Sequence, residues 1–524
     1  MPSEPEFLFV FHRVLRRWRR GAVLGLLAAL GLGASAQPSG AANPAVAARN
    51  PGAQVLSLAA CIELAVAQNR VIRAAYLDRV AQQFDLRVAE SLFLPKALIS
   101  PYLERSNASS SSVSSTTTTS GTTTVATGSS STSSSTGSRV LGLTTSVSQA
   151  VPTGARFSLG TTASRTTATG TDPSRAHGWN LGIIQPLLKG GGLQVGMAPL
   201  TLARYQEQGN LLNLKAVVSD TLVEVITAYR TYFKAIKALE INRQSVARSK
   251  ELLVVNRSLV ATGRMAEIDL VQSEADVANQ EFSLLSSEGA VDTARLTLLR
   301  LLGAETHARI EPEDNLSGAP SESDERQALE VALANRPDYQ AGLLALEVSR
   351  LQLVLAQNNL LPDLSVTAGY QQSSQSSAAL GGTSGTNGWN LGLRLTVPVG
   401  DLTPQQGVVQ AQVNLEKTEL ALRQLRESVE IDVQNALRNL EMNRKQVVLS
   451  LRARELAERK FAVEAEKIKV GRSSNFQLVS FQNDLVAAQN NELNARIALL
   501  DAQSTLDHRL GVTLDRLGVS LVRR

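Results

Sequence analysis

The stretch GWNLGLRLTV, residues 388–397, is the clearest structural signal in this 524-residue chain. From Trp389 its odd-numbered residues are Trp, Leu, Leu, Leu and Val, and its even-numbered residues are Asn, Gly, Arg and Thr. This alternation predicts a β-strand with one apolar and one polar face. Together with the leading tryptophan, it is typical of a transmembrane barrel strand, in which aromatic rings lie at the lipid interface. A soluble sandwich with this tryptophan in its core is the alternative, but each of the two repeats in the chain has too few strands for a sandwich. The pentapeptide GWNLG also occurs at residues 178–182, so we expect this strand twice.

The repetition extends over most of the chain. Asn69-Arg70 recurs as Asn335-Arg336, and Leu94-Pro95 recurs as Leu361-Pro362. Later matches keep a constant offset of 208 residues, which requires two units of equal length. We therefore predict the following division: signal peptide 1–36, linker 37–56, first repeat 57–310, linker 311–324, second repeat 325–515 and C-terminal tail 516–524.

The first 36 residues have the features of a secretory signal. Five arginines precede a short apolar run at residues 21–33, and Ala34-Ser35-Ala36 supplies small residues for cleavage. A retained membrane anchor is the alternative, but the run is shorter than the roughly 20 residues that span a bilayer. Without this leader the net charge falls well below the formal +5, so we do not expect the protein to bind nucleic acid.

Cys61 is the single cysteine of the chain, so no internal disulfide can form. The preceding Leu58-Ala59-Ala60 resembles a lipoprotein acylation box, but no basic and apolar leader lies directly before it. Cys61 also lies among apolar residues at helical spacing, and we predict a buried thiol.

Two long helical hairpins are predicted. No proline occurs in residues 200–311 or 405–524, and apolar residues recur there every three or four positions. The helical pattern is unbroken from residue 193 to Gly263 and from residue 403 to Gly471, which corresponds to helices roughly 100 Å long. The two glycines are expected to be C-caps before return helices that end near Leu302 and Leu510.

The first repeat carries two extra segments between its strands. Residues 106–138 consist almost entirely of Ser, Thr and Gly, and we expect them to form a disordered extracellular loop. Residues 139–165 contain a candidate hairpin, with Val140–Gln149 and Arg156–Thr161 on either side of a Pro-Thr-Gly turn. Its two strands either join the barrel, giving six strands per protomer instead of four, or fold elsewhere.

The order of the motifs resembles that of the TolC-like outer-membrane efflux proteins. The resemblance covers nearly the whole chain after the leader, although each motif alone is loose. The motifs are LSLAACIELAVAQNRVIRAA, the two LP pairs, VSQAVPTGARFSLG, QPLLKGGG, TGRMAEIDLVQSE, VGRSSNFQLVSFQ and the LLG and RLG endings. The resemblance implies an α+β membrane protein: a trimeric outer-membrane β-barrel continuous with a long α-helical coiled-coil tunnel in the periplasm, built from two sequence repeats per protomer. A barrel formed by strands from several protomers is also expected physically, since the four strands of one protomer cannot enclose a lumen.

The resemblance also places the functional positions. Residues beyond the ends of the long helices would form the periplasmic gate and dock with an adaptor; they are Gly263, Arg264, Asp269, Gly471, Arg472, Gln477 and Ser480. Asp269 matches an acidic position that latches the closed mouth, with Arg264 or Arg472 as its partner. A solvated pair worth roughly 0–1 kcal/mol is the alternative. Gln477 and Ser480 depart from the family pattern, in which the second tip can carry acidic residues. The aromatic residues expected at the membrane interface are Trp179, Trp389, Tyr102 and Tyr370.

These features favour a passive exit channel of a tripartite efflux pump or a type I secretion system, with an adaptor, an inner-membrane transporter and outer-membrane lipid as partners. A periplasmic adaptor or structural coiled coil is the alternative, but an adaptor would have one helical hairpin and not two. An enzyme is not expected, because the four histidines are scattered and form no metal-ligand or nucleophile pattern. Neither a cofactor nor a metal is predicted.

Overall fold

A computed structural model describes most of the chain after the leader: residues 54–120, 123–170, 172–313, 324–377, 382–469 and 472–520. The predicted signal peptide 1–36, nearly all of the linker 37–56, Gly471, most of the linker 311–324 and the end of the C-terminal tail lie outside the described residues.

Helices account for most of the described residues. In chain order they are α1 Leu58–Gln68, α2 Arg70–Glu90, α3 Leu193–Ala261, α4 Glu267–Leu302, α5 Glu325–Asn335, α6 Pro337–Asn359, α7 Thr403–Lys469, α8 Asn475–Arg509 and the short α9 Thr513–Arg516. The predicted bounds of the long helices are confirmed at both ends. None of the helices in the described part of the chain combines the length and the apolar content that a membrane span needs.

The strands form two sheets. They are β1 Gln54–Leu56, β2 Lys96–Ser120, β3 Thr123–Ala150, β4 Arg156–Ala168, β5 Ser174–Pro186, β6 Ile310–Pro312, β7 Asp363–Ser377 and β8 Gly382–Thr396. The larger sheet has the order β2-β3-β4-β5-β7-β8, and every neighbouring pair is antiparallel. The short strands β1 and β6 pair in parallel, with Gln54 opposite Ile310. The predicted hairpin around residues 152–154 is present as β3 and β4.

The prediction of a disordered loop at residues 106–138 is wrong for the part of this segment that the structure describes. β2 and β3 continue through it as one antiparallel ladder from Ser106 opposite Ser138 to Ser120 opposite Thr123. The pairing at the base starts the ladder, which shifts register once between Ser115 and Thr117, and the backbone groups of the two strands that face each other are paired. At the base the Ser106 and Ser138 hydroxyls lie 2.7 Å apart. This ribbon extends about 45 Å beyond the neighbouring strands.

The helical core lies where the short helices pack against the ends of the long ones. Val218, Leu222 and Val225 of α3, which are spaced three or four residues apart on one helix face, are fully buried. They pack with α1 residues that include Cys61, which is buried as predicted. A second cluster joins α5 to α7 and to the end of α8, with Val429 and Val433 at its centre. Both clusters therefore lie at the sheet-proximal part of the hairpins, far along α3 and α7 from their turns.

Glycines at the ends of α4 and α8 allow a close backbone contact. Gly303 has φ +67°, and a Cβ placed on it would lie 2.6 Å from the carbonyl oxygen of Gln68. Gly511 has φ +72°, and its Cβ would lie 2.8 Å from the backbone of Asn335 and Arg336. In each case the glycine packs on the break between two short helices. This contact explains why the LLG and RLG endings and the Asn-Arg pairs both recur in the sequence.

Candidate functional site: the hairpin ends and the two faces of the sheet

The first hairpin turns over at residues 262–266, between α3 and α4. Gly263 has φ +70°, and its N–H donates to the Val260 carbonyl at 2.9 Å while the Arg264 N–H donates to the Leu259 carbonyl at 2.9 Å. These bonds satisfy carbonyls that the end of α3 leaves without a helical partner. No atom lies within 4 Å of a Cβ placed on Gly263. Gly263 is thus the helix C-cap that the sequence predicted, at an open turn.

The second hairpin turns over beside Gly471, which lies outside the described residues. The Arg472 N–H donates to the Lys467 carbonyl at 3.0 Å, and the Ser474 hydroxyl caps α8 by accepting from the Gln477 N–H at 3.3 Å. On α7, the Glu464 carboxylate accepts bonds from Ser473 and Lys467. These hydrogen bonds hold the pKa of Glu464 below its ordinary value.

The structure brings the two tips together through Asn475, at the first turn of α8. Its Nδ2 donates to the Asp269 carbonyl oxygen at 3.1 Å and to Ser273 Oγ at 2.9 Å. Asp269 itself is half-buried. Among the residues described at the two turns, no ion pair within the chain joins Asp269 to Arg264 or Arg472.

A buried polar seam connects the two hairpins behind these tips, and sequence reasoning missed it. We use this name for eight buried polar side chains: Ser245, Ser249 and Asn256 of α3, Ser273, Asp276 and Gln280 of α4, and Asn475 and Gln482 of α8. They occupy positions that face neighbouring helices, where apolar residues are usual in a coiled coil. Serine and asparagine residues at helical spacing could have indicated these buried positions. A search for apolar helix faces does not find them.

Hydrogen bonds run along the polar seam from helix to helix. Asn256 Nδ2 donates to Ser273 Oγ and to Asn475 Oδ1, both at 2.7 Å. Gln482 Nε2 donates to Ser249 Oγ at 2.6 Å, and Ser249 Oγ donates in turn to the Asp276 carboxylate at 2.8 Å. Each of these hydrogen bonds can form only when the two helices are aligned at one position along their axes. The polar seam therefore specifies the helix register at some expense in stability.

A cavity of about 180 Å³ with several charged residues in its lining lies at the other end of the hairpins, where α3 meets the end of α8. His508 lines it, with Nε2 3.2 Å from an Asp220 carboxylate oxygen and Nδ1 3.3 Å from the Ser219 hydroxyl. Burial lowers the pKa of His508 below its ordinary value of 6.5 despite the nearby carboxylate. Nearby, Arg336 bridges Asp338 and Asp432. These contacts join α3, α6, α7 and α8 through charged groups.

The strand registers assign every residue of the large sheet to one of two faces, because residues directly opposite each other point the same way. Trp179 lies opposite Gln372, and Tyr370 lies opposite both Leu181 and Trp389. The rings of Trp179 and Tyr370 are 5.0 Å apart, and the Trp179 indole N–H donates to Gln372 Oε1 at 3.1 Å. This face is apolar and exposed; its large members include Leu141, Leu143, Phe157, Leu159, Leu181, Trp389, Leu391, Leu393 and Leu395.

Tyr102, the fourth aromatic residue expected at the membrane interface, lies on the opposite face of the sheet from Trp179, Trp389 and Tyr370. It is paired with Gly142, and the ladder continues from Gly142 to Ser164 and from Ser164 to Ala176, all at positions that alternate with the apolar ones. Its ring lies across Gly142, where a Cβ would overlap it. The two Tyr residues have equivalent places in the repeats, but the face of Tyr102 depends on pairing to a strand that only the first repeat has.

Among the described residues, no group of three or more His, Cys, Asp or Glu side chains is arranged to hold a metal ion.

Comparison with known proteins agrees with this architecture. The curated Brucella suis outer membrane efflux protein BepC is 22% identical over 312 residues, covering 59% of this chain and 68% of BepC. Two solved structures have the same fold. A membrane protein from Pseudomonas aeruginosa has a TM-score of 0.63 at 16% identity over 87% of this chain and 93% of its own. The Campylobacter jejuni CmeC outer membrane channel has a TM-score of 0.62 at 14% identity over 92% and 94%.

The sequence profile of the outer membrane efflux protein family matches residues 154–304 and 328–512. These two segments contain both helical hairpins, the strands β5 and β8 with their tryptophans and the predicted gate positions, and they make up more than half of the chain. With its exposed apolar sheet face and its two long hairpins, this chain belongs to the outer membrane efflux protein family and is a protein of the outer membrane.

Proposed function

We propose that this chain forms the passive exit channel of a tripartite efflux pump or of a type I secretion system. The observation that carries the proposal is the large sheet, which has one exposed apolar face, one polar face and a direct connection to two long helical hairpins. A sheet with these two faces suits a barrel wall between lipid and an aqueous lumen. The hairpins would continue the lumen into the periplasm.

The channel would be a homotrimer. In the part of the chain that the structure describes, β2 and β8 are the edge strands of the large sheet and leave one side of their backbone unpaired. Unpaired backbone groups are not tolerated in the hydrocarbon region of a membrane, so the edges must pair with other copies. Trp179, Trp389 and Tyr370 would then lie at the membrane interface.

The hairpin ends would form the periplasmic gate and the docking surface for an adaptor, which would link the channel to an inner-membrane transporter. In this arrangement Asp269 of one copy pairs with Arg472 or Arg264 of the next, and three such pairs hold the tunnel shut. Asp269 fits this role because its backbone is held by Asn475 while its carboxylate has no partner within the described chain. Each pair is weak when solvated, at about 1 kcal/mol or less, but three act together.

Fractionation and bilayer recording test the proposed function. We expect the protein in the outer-membrane fraction, a trimer after extraction in detergent, and discrete channels in planar bilayers. A monomer that is extracted without detergent would favour the alternative, a periplasmic adaptor or structural coiled coil. Cross-linking in cells, followed by identification of the captured adaptor and transporter, distinguishes an efflux pump from a secretion system.

The gate has its own test. Asp269→Ala, and separately the double variant Arg264→Ala with Arg472→Ala, should raise single-channel conductance without changing the amount of trimer. Ser258→Ala, an exposed neutral change in the last turn of α3 that is not one of the proposed gate positions, is the matched control and should leave conductance unchanged. If both charge variants conduct like the wild type, the ionic latch is excluded and closure must depend on helix packing.

A further inference from the structure

The β3–β4 hairpin is inserted into the large sheet as two full strands. β3 lies between β2 and β4 over a ladder that runs without a register shift from Ser138 opposite Ala168 to Ala150 opposite Arg156. β4 pairs in turn with β5 from Thr166 opposite Ser174 to Arg156 opposite Ile184. In the second half of the chain β7 pairs directly with β8. The first half therefore supplies four strands to the sheet where the second half supplies two.

Both inserted strands have the two faces that a barrel wall requires. Leu141 and Leu143 of β3 and Phe157 and Leu159 of β4 are exposed on the same face as Trp179. The residues that alternate with them are mostly glycine, serine and threonine, together with Val140 and Arg156. A hairpin folded into the aqueous lumen as a plug would not be expected to expose an apolar face. The insertion has the pattern of wall strands.

The directions of the strands allow the sheet to close with copies of itself. All neighbouring strands in the order β2-β3-β4-β5-β7-β8 are antiparallel, and their number is even. The two edge strands therefore run in opposite directions, so β8 of one copy can pair antiparallel with β2 of the next. Three six-stranded sheets supply 18 strands, compared with 12 if each half supplied two. Barrel diameter grows roughly linearly with strand number, which gives a backbone diameter about 1.5 times larger.

The polar face carries small side chains, which adds to the open width. Glycines recur on it in five of the six strands: Gly142, Gly160, Gly178, Gly182, Gly369, Gly388 and Gly392. Most of the remaining positions are serine, threonine, asparagine or glutamine. The large ring of Tyr102 lies flat over Gly142, so it protrudes little.

We propose that the chain builds an 18-stranded outer-membrane exit with a wide, hydroxyl-rich and weakly charged lumen, suited to hydrated polymeric cargo such as a polypeptide. This inference rests on the proposed function, because it needs the trimer. The specific element is β3–β4, which adds two wall strands per copy and sets the width of the outer mouth.

Two matched deletions in the full-length protein test the proposal. In the first, a four-residue turn replaces residues 106–173, which removes β3 and β4 and joins β2 to β5. In the second, a turn of the same length replaces residues 107–137, which removes the projecting ribbon but keeps all six strands. The diameter of the outer mouth is measured by exclusion of polyethylene glycols of graded size, added in planar bilayers only to the side that the ribbon faces.

We expect the wild type and the ribbon deletion to admit the same largest polymer, and the strand deletion to have a mouth diameter smaller by about one third. A density map of the wild-type trimer should contain 18 strands. Equal exclusion limits in all three proteins, or a 12-stranded wall with β3–β4 outside it, would overturn the inference. If the strand deletion does not assemble, the wild-type map alone decides. A wild type that forms neither trimers nor channels would instead refute the proposed function.

Discussion

Replacing Gly303 by alanine tests the close contact between the end of α4 and the break between α1 and α2. Gly263 provides a matched control, because the two glycines have nearly the same φ, +67° and +70°, but different surroundings. A Cβ on Gly263 meets no atom within 4 Å, whereas a Cβ on Gly303 lies 2.6 Å from the Gln68 carbonyl oxygen. The pair separates the conformational cost of the left-handed backbone from the cost of the contact.

The free-energy cost of placing an L-residue in the left-handed backbone region is the same in both variants, at roughly 1–2 kcal/mol. Gly303→Ala adds overpacking against a backbone carbonyl, which cannot rotate away as a side chain would, and this costs typically 1–3 kcal/mol. We expect Gly303→Ala to be less stable than Gly263→Ala by about 2 kcal/mol, which corresponds to a roughly 30-fold difference in a local opening equilibrium.

Hydrogen–deuterium exchange of the folded protein measures this equilibrium segment by segment. In Gly303→Ala, peptides from α1 and from the end of α4 should exchange roughly 30-fold faster than in Gly263→Ala, which should change only at its own turn. Gly511→Ala repeats the test in the second half, where a Cβ would lie 2.8 Å from the backbone of Asn335 and Arg336. Equal effects at Gly303 and Gly263 would refute the role of the contact.

Three further predictions concern single features. Burial lowers the pKa of His508, so the unfolded chain binds a proton at this residue at higher pH than the folded chain does. The contribution of His508 to stability is therefore present above about pH 6.5 and is lost as the pH falls below that value. Denaturation of the wild type and of His508→Gln between pH 5 and 8 should show a smaller loss of stability in the variant. Burial raises the pKa of Cys61 to about 11, so a maleimide should label the thiol only after denaturation, and labelling of the folded protein would contradict its burial. An epitope inserted between Ser120 and Thr123 should bind antibody on intact cells; binding only after the outer membrane is permeabilised would place the ribbon in the periplasm.

The sequence predicted the helical hairpins closely because their signals are local. The apolar spacing around Val218 and Val429 and the glycines at the helix ends do not depend on distant partners, and the observed helices end within two residues of the predicted turns. The alternation after Trp389 likewise identified β8. The strands extend further than predicted, because a ladder can continue through polar residues once its base is paired.

The errors have one physical origin, which is pairing between distant segments. The face on which Tyr102 lies follows from its position opposite Gly142, and the paired backbone of residues 106–120 and 123–138 follows from the ladder between β2 and β3. The polar seam involves Asn256 and Asn475, which are far apart in sequence and hydrogen bond only after the two hairpins have packed together. No local pattern contains this information.

The parallel pairing of β1 with β6 has a consequence for the order of folding. Gln54 and Ile310 lie opposite each other, so the strand pair that joins the two ends of the first half can form only after roughly 250 residues have crossed the inner membrane. Contacts of such long range form slowly, because the entropy of loop closure is lost before they stabilise the chain. Until then, the buried cluster that contains Ile310 is incomplete, and the apolar residues of α1 and α3 that pack in it stay exposed. We expect a nascent chain that stops before Ile310 to depend on periplasmic chaperones and to be degraded faster than one that includes β6.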